Sequence, residues 1–293
     1  MKHKFAWPTL ALIIVVYAAW GALLFVEPWW IASPLLGTTI ALQASLQHEV
    51  LHGHPFKSSR KNMALVWFSL SVVIPFTRFR DMHLAHHQDA SLTDPYDDPE
   101  TNFLDPVVWD KLSRLMQGML LLNNTLLGRL IIGPVIGLVT FVLGEWRNRT
   151  PATMRQWLGH LPAVVGVLWL VSTSPLSLWT YGFAVYLALS ILKLRTFLEH
   201  QPAARASHRS VIVERGGLFG FLFLNNNLHV VHHMHPKVPW YQLPQLYRTN
   251  KDHYLRRNGG YVYPSYGAIM RAYAWHRKDP VAHPLWQKRP EAR

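Results

Sequence analysis

Three short stretches of the chain concentrate side chains that can bind a metal ion. The first is Gln47-His48-Glu49-Val50-Leu51-His52-Gly53-His54-Pro55, the second His83-Leu84-Ala85-His86-His87, and the third His229-Val230-Val231-His232-His233-Met234-His235-Pro236. On a helix, His48 and His52 stand at i and i+4 and share a face. His83, His86 and His87 stand at i, i+3 and i+4, and His229, His232 and His233 repeat that spacing. Eight imidazoles exceed the four ligands that one zinc ion prefers and suit two ions of the first transition row. Imidazole is compatible with iron, zinc, copper or nickel. His54 and His235 each precede a proline, which biases them away from helical geometry and toward supporting or capping roles.

Two other readings of these residues differ in class. His48-Glu49-x-x-His52 fits the zinc-protease pattern, with Glu49 as general base, but that leaves two clusters without a purpose. A metal transporter would place its ligands near a bilayer midplane on broken helices, whereas these clusters lie outside the uncharged runs.

Composition narrows the chemistry. The 293 residues include 17 histidines and no cysteine. Disulfides, thiolate zinc sites, iron–sulfur clusters and a cysteine nucleophile are excluded, so any metal must be held by imidazole or carboxylate. Lys and Arg number 29 against 16 Asp and Glu, a formal charge of +13, yet half the residues are hydrophobic. The chain is too apolar for a disordered basic tail. No aromatic-interleaved nucleic-acid motif is visible, and attraction to anionic head groups explains the basic C-terminal third more simply than a nucleic-acid partner does.

The elements that must position the histidines read as long apolar helices. Trp7–Val26 and Pro28–Gln47 carry no charge, and Gln156–Leu192 has no Asp, Glu, Lys or Arg, with His160 as its one basic group, and breaks at Ser172-Thr173-Ser174-Pro175. An apolar run of about 20 helical residues reaches about 30 Å, the thickness of a bilayer core. The expected fold is therefore an all-α integral membrane protein of one domain, 1–293. Its four transmembrane helices lie near 7–26, 28–47, 157–173 and 176–194, and a cytoplasmic helical cap, 48–155 and 195–293, holds a histidine-rich di-metal site. Lys and Arg flanking the runs place the N-terminus, the C-terminus and the site on the cytoplasmic side of the inner or cell membrane. The apolar stretches 63–77 and 115–144 are expected to dip in or lie along the interface.

The boxes in this order, H-x3-H, H-x2-HH and H-x2-HH, resemble the membrane fatty-acid desaturase superfamily, which includes acyl desaturases and carotenoid or lipid hydroxylases and ketolases. The likeness covers roughly residues 40–245, and takes in Leu92–Glu100, Asn225-Asn226-Asn227-Leu228 and Pro239–Pro244. It implies two non-haem iron ions, O2 as co-substrate, and a ninth histidine beyond the fourth apolar segment, for which His200 is the candidate. The metal set is then His48, His52, His83, His86, His87, His200, His229, His232 and His233. Carboxylates and amides that orient the rings are sought among Glu49, Asp81, Asp89, Asp94, Asp97, Asp98, Glu199, Asn225 and Asn226, with His54 and His235 beside them. The implied activity is introduction of a double bond into a fatty acyl chain, with hydroxylation or ketolation as the alternative. Trp67, Phe68, Phe76, Phe79, Phe103 and Trp109 are candidates to line a substrate tunnel. No flavin or dinucleotide fingerprint is present, so electrons are expected from a separate ferredoxin or cytochrome, docked by the basic tail and Arg78/Arg80.

Overall fold

The computed structural model describes residues 5–287, with the side chain of Asp89 outside the described part. Helices dominate, and polar residues mark their starts. α1 (Trp7–Leu23) and α2 (Trp29–Leu51) pack together across a short turn. Ser58 caps α3 (Ser59–Leu65), and α4 (Phe76–His86) follows a loop. Asp105, Ser113 and Thr125 accept backbone N–H bonds at the starts of α5 (Pro106–Lys111), α6 (Arg114–Asn123) and α7 (Leu126–Ile131). α8 (Gly133–Arg147) leads to α9 (Pro151–Ser172), which opens on a Thr150/Thr153 capping box, and to α10 (Leu178–Thr196), capped by Ser177. The C-terminal third contains β1 (Ile212–Arg215), α11 (Gly217–Leu222), α12 (His229–Met234), α13 (Leu243–Thr249), α14 (Lys251–Arg257), β2 (Val262–Ser265) and α15 (Tyr266–Tyr273).

The centre of the fold is the seam between α2 and α10. Small residues let the two backbones approach: Gly37, Ala41, Ala184 and Ala188 are buried. A Cβ on Gly37 would lie 2.9 Å from Leu187 Cβ and 3.1 Å from the Ala184 carbonyl, so this position needs glycine. Leu36, Ile40, Trp20 and Tyr181 complete the core around the seam. The loop before α4 is tied to this framework through its carbonyls. Tyr17 donates to Phe68 O at 2.8 Å, Tyr181 to Leu70 O at 2.6 Å, and His160 to Val72 O at 3.2 Å. These bonds fix where α4 begins, and so where its histidines end up.

The chain departs from the expected four-span architecture. Among the described residues no helix is long and apolar enough to cross a membrane. The most apolar helix, α1, has 17 residues and reaches about 25 Å, short of the ~30 Å required. The longer helices are diluted by polar residues: Thr38, Thr39, Gln43 and Gln47 in α2, Arg155, Gln156 and His160 in α9, and Lys193 and Arg195 in α10. The uncharged runs do lie in helices, but a lack of charge is not enough to span. The assignment to an inner or cell membrane with a cytoplasmic site loses its basis with the spans. Segment 63–77 is the end of α3, a tethered loop and the first residues of α4, while 115–144 is divided among α6, α7 and α8.

A second departure is a two-stranded parallel sheet, with Ile212 opposite Val262 and Val213 opposite Tyr263. β1 continues from an extended segment that pairs His200 with Ser210. Val211 and Val213 then bond the backbone on either side of His229, through Val230 N–H to Val211 O and Val213 N–H to Asn227 O. One extended strand thus aligns His200 with α12.

Candidate metal centre

Four elements deliver their histidines to one interior region. His48 and His52 lie on the last turn and the C-cap of α2, and His83, His86 and His87 on the last turn and C-cap of α4. His229, His232 and His233 lie on α12, and His200 follows α10. The rings fall into two groups: His48, His52, His83, His87 and His232 in one, and His86, His200, His229 and His233 in the other. Within each group the candidate ligand nitrogens lie within 4.8 Å of one another.

The split runs through the boxes for a helical reason. Residues turn by about 100° each, so i and i+4 point about 40° apart whereas i+3 and i+4 point about 100° apart. His83 and His87 therefore go to one group and His86 to the other; His229 and His233 stay together while His232 crosses over. Neither group is local, because each draws on three segments distant in sequence.

The nitrogen geometry tests whether a metal fits. His83 Nε2 lies 2.9 Å from His87 Nε2, which lies 3.1 Å from His232 Nε2. His200 Nε2 lies 2.9 Å from His86 Nε2 and 3.0 Å from His229 Nε2. Two nitrogens sharing an ion at about 2.1 Å sit about 3.0 Å apart at a right angle and about 3.4 Å apart at the tetrahedral angle. The observed edges match the right angle, and five donors exceed a tetrahedral shell.

Tautomers sharpen the point. His86 donates Nδ1–H to Asp98 Oδ1 at 2.7 Å, and His229 donates Nδ1–H to Asn226 Oδ1 at 3.1 Å. Both Nε2 lone pairs then face His200 Nε2, which can donate to only one of them. In the other group His83 donates Nδ1–H to Glu100 at 2.9 Å, and the buried Nε2 atoms of His48 and His52 have no hydrogen-bond partner among the described residues. Buried, converging lone pairs without donors are costly unless a cation sits among them.

Electrostatics agree. Burial, reinforced by neighbouring rings, holds His48, His52, His200, His229 and His232 well below the ordinary imidazole value, leaving neutral donors. Burial also lowers His86, but Glu100 and Asp98 outweigh it and lift this ring to about 9. The surroundings of His86 thus call for positive charge, which a bound cation supplies as a proton would. Burial would raise Glu100, yet His83 and His86 hold it well below the usual carboxylate range. The Glu100 side chain is 22% exposed, toward the cavity described below. The donor set, neutral imidazoles inside a ring of carboxylates, fits first-row transition ions.

The supporting residues are partly those sought. Glu199 accepts from Asn226 Nδ2 at 2.6 Å and pairs with Arg195 at 2.9 Å, so an Arg195–Glu199–Asn226–His229 chain orients one ring. Asp98 and Glu100 hold His86 and His83. Glu100 was absent from the candidates, although it belongs to the acidic run Asp89–Asp110, whose density was the available signal.

Other candidates serve elsewhere. Glu49 accepts from Thr9 Oγ1 and from Trp240 N–H, joining α1, α2 and the segment after the third box. Among the described residues it therefore orients no ring of either group by a hydrogen bond, and it is not poised as a metalloprotease base. His54 is buried 3.9 Å from Glu49, outside both groups. Asp94 accepts from the N–H groups of Tyr96 and Asp97, shaping the turn after the second box. Asn225, at φ 58°, donates to Trp240 O, and His235 meets the edge of Tyr254. Asp81 takes hydrogen bonds from Arg80 and Gln156. Asp89 falls outside the described side chains.

A cavity of about 720 Å³ adjoins His86 and His200 and runs between α2, α4, α8 and α10. Ile40, Ala44, Met82, Leu189 and Leu192 form an apolar wall. Of the aromatic residues expected along a tunnel, Phe79 and Phe103 line this cavity. Trp67 and Phe76 line a separate one of about 320 Å³, and Phe68 and Trp109 line neither.

A helical protein that gathers nine imidazoles into two adjoining groups beside a partly apolar cavity of this size is able to hold metal next to a substrate. Residues 24–265, most of the chain, match the fatty acid desaturase family. The chain belongs to that family and is an oxidoreductase of lipids, in a family that typically depends on metal. No curated protein matches it.

Proposed function

We propose that the protein binds two iron ions, one in each histidine group, and uses O2 to introduce a double bond into a fatty acyl chain lying in the adjoining cavity. The observation that carries this reading is the pair of convergent groups, in which side chains beyond the rings turn lone pairs inward. His48, His52, His83, His87 and His232 would hold one ion, and His86, His200, His229 and His233 the other. When bound, the iron pair supplies, with O2, the oxidising power that amino-acid side chains lack.

The chain's own residues do the rest. Asp98, Glu100 and Asn226 keep the protons of His86, His83 and His229 on Nδ1. Arg195 holds Glu199 in place behind Asn226. Ile40, Leu189 and Leu192 favour an apolar chain beside His86 and His200 and exclude water from it.

Electrons would come from a separate acidic carrier, a ferredoxin or cytochrome, attracted by the basic C-terminal third. Lipid profiling of a host expressing the wild type with a donor, beside a His86→Ala variant, tests the reaction. A new double bond seen only with the wild type supports desaturation. A new hydroxyl or ketone in its place would show oxygen insertion and overturn it.

A further inference from the structure

The cavity beside the metal centre is not apolar throughout. Arg129 of α7 and Lys193 of α10 both line it. Arg129 is 5% exposed, and its guanidinium donates to neutral oxygens: Nε to Asn123 O at 2.9 Å, and Nη1 to Asn102 Oδ1. The Lys193 ammonium makes no hydrogen bond or ion pair among the described residues. Its ammonium lies over Gly137 of α8, where a Cβ would come within 2.6 Å of Nζ. Glycine at this position is what leaves room for the charge.

Every carboxylate on the cavity wall is already engaged. Glu145 pairs with Arg78, Glu100 with His83, Asp98 with His86, Glu199 with Arg195, and Asp279 with Lys278. Asp279 also acts on Arg129 at longer range, but Lys278 holds it. Two cations therefore face one cavity with no ion pair of their own among the described residues; Glu100, for Lys193, and Asp279, for Arg129, act only at longer range. Burial, and for Lys193 the neighbouring Arg129, lowers Lys193 to about 8 and Arg129 to about 10. Both stay cationic at neutral pH, in a place where an unpaired charge is costly. A lysine kept at such a cost on α10, beside Leu189 and Leu192, calls for an anion from outside the chain.

We propose that Lys193 and Arg129 form an anion-binding subsite, so that the cavity takes an apolar chain ending in an anionic head group, a carboxylate or a phosphate. The apolar wall receives the chain, and the two cations hold its head and set how far it reaches toward His86 and His200. This rests on the reading of the cavity as the substrate site and adds what distinguishes its substrate: a free anionic end in place of a neutral ester.

Equilibrium binding to the full-length, metal-loaded protein tests the subsite without turnover. The probes are palmitate, hexadecyl phosphate and methyl palmitate, each below its micelle-forming concentration. At least one anion should bind about tenfold tighter than the ester, as a charge-assisted contact in an enclosed site provides. Whichever anion binds better names the head group. Lys193→Met should bring the ratio close to one and raise the melting temperature of the ligand-free protein, because it removes a buried cation. Lys193→Arg should keep the preference. Gly137→Ala places a methyl where the ammonium lies and favours the α8 helix, so it should reduce the preference without loss of folding. Equal binding of anions and ester by the wild type, or a preference that survives Lys193→Met, would overturn the subsite. Iron content of the same preparations is measured separately, so failure of the metal reading and failure of the subsite are distinguishable.

Discussion

Glu100 offers the sharpest perturbation of the metal centre. Its carboxylate accepts the Nδ1 proton of His83 at 2.9 Å, while its other oxygen lies 4.0 Å from His86 Nε2. Among the described residues no backbone N–H donates to its carboxylate, so its replacement acts chiefly on the ring. Glu100→Ala lets His83 rotate and choose its tautomer, which should weaken iron in the five-histidine group about 10–100-fold, or ~1.4–2.7 kcal/mol. Glu100→Gln keeps a carbonyl for the Nδ1 proton and loses only the charge, so the loss should be near the lower limit, about tenfold. The four-histidine group should lose less, since Asp98 and Asn226 still hold its rings and only the more distant Glu100 charge beside His86 is gone. Anaerobic iron(II) titration followed by calorimetry resolves the two affinities, with thermal melts as the folding control. Wild-type affinity at both groups in Glu100→Ala, or equal weakening of both, would refute the reasoning.

Other consequences concern the scaffold. Glu145 accepts two hydrogen bonds from Arg78, at 2.7 and 2.6 Å, and one from Trp157, at 2.9 Å, joining α4, α8 and α9. Glu145→Gln should cost about 1 kcal/mol after allowance for solvent screening of the pair. Burial opposes the Glu145 charge, but Arg78 and Trp157 outweigh it and place the folded value below the ordinary one. The contribution is therefore complete above about pH 4.3 and lost as pH falls through the lowered value. Denaturant melts should show a constant wild-type advantage from about pH 6 to 8 that shrinks in acid. Gly37→Val forces α2 away from α10 and should destabilise by about 2–3 kcal/mol, with iron lost from both groups because His48, His52 and His200 depend on that seam. Tyr181→Phe removes the bond to Leu70 O and the acceptor for Trp20 Nε1, and should lower stability by about 1–2 kcal/mol in the same melts.

Much of the centre was legible because helical spacing constrains direction. The i, i+4 pairs His83/His87 and His229/His233 stay together for the same reason that they stood out in the sequence. The division into five and four was not legible. It depends on where α12 sits, and that follows from β1 and the His200–Ser210 bridge, which have no periodic signature. Glu100 was hidden because its role comes from a loop folded around the Asp98 carboxylate, which accepts the N–H groups of Thr93 and Glu100. Glu49, beside His48, looked like a ring partner, but neighbours on a helix face different ways, and its carboxylate meets Thr9 and Trp240. The spans failed for a related reason. Counting uncharged residues treats Thr, Gln and Ser in α2 as apolar, yet Gln43, Ser45 and Gln47 are buried polar residues inside the fold. The cavity, and the two cations facing it, belong to tertiary structure alone.

Iron stoichiometry in three proteins tests the central claim most directly: wild type, His52→Ala in the five-histidine group, and His200→Ala in the four-histidine group. The account predicts two ions per chain in the wild type and one in each variant, with the lost ion differing between the variants in its Mössbauer spectrum. One tightly held zinc in the wild type, or iron content indifferent to both substitutions, would contradict it.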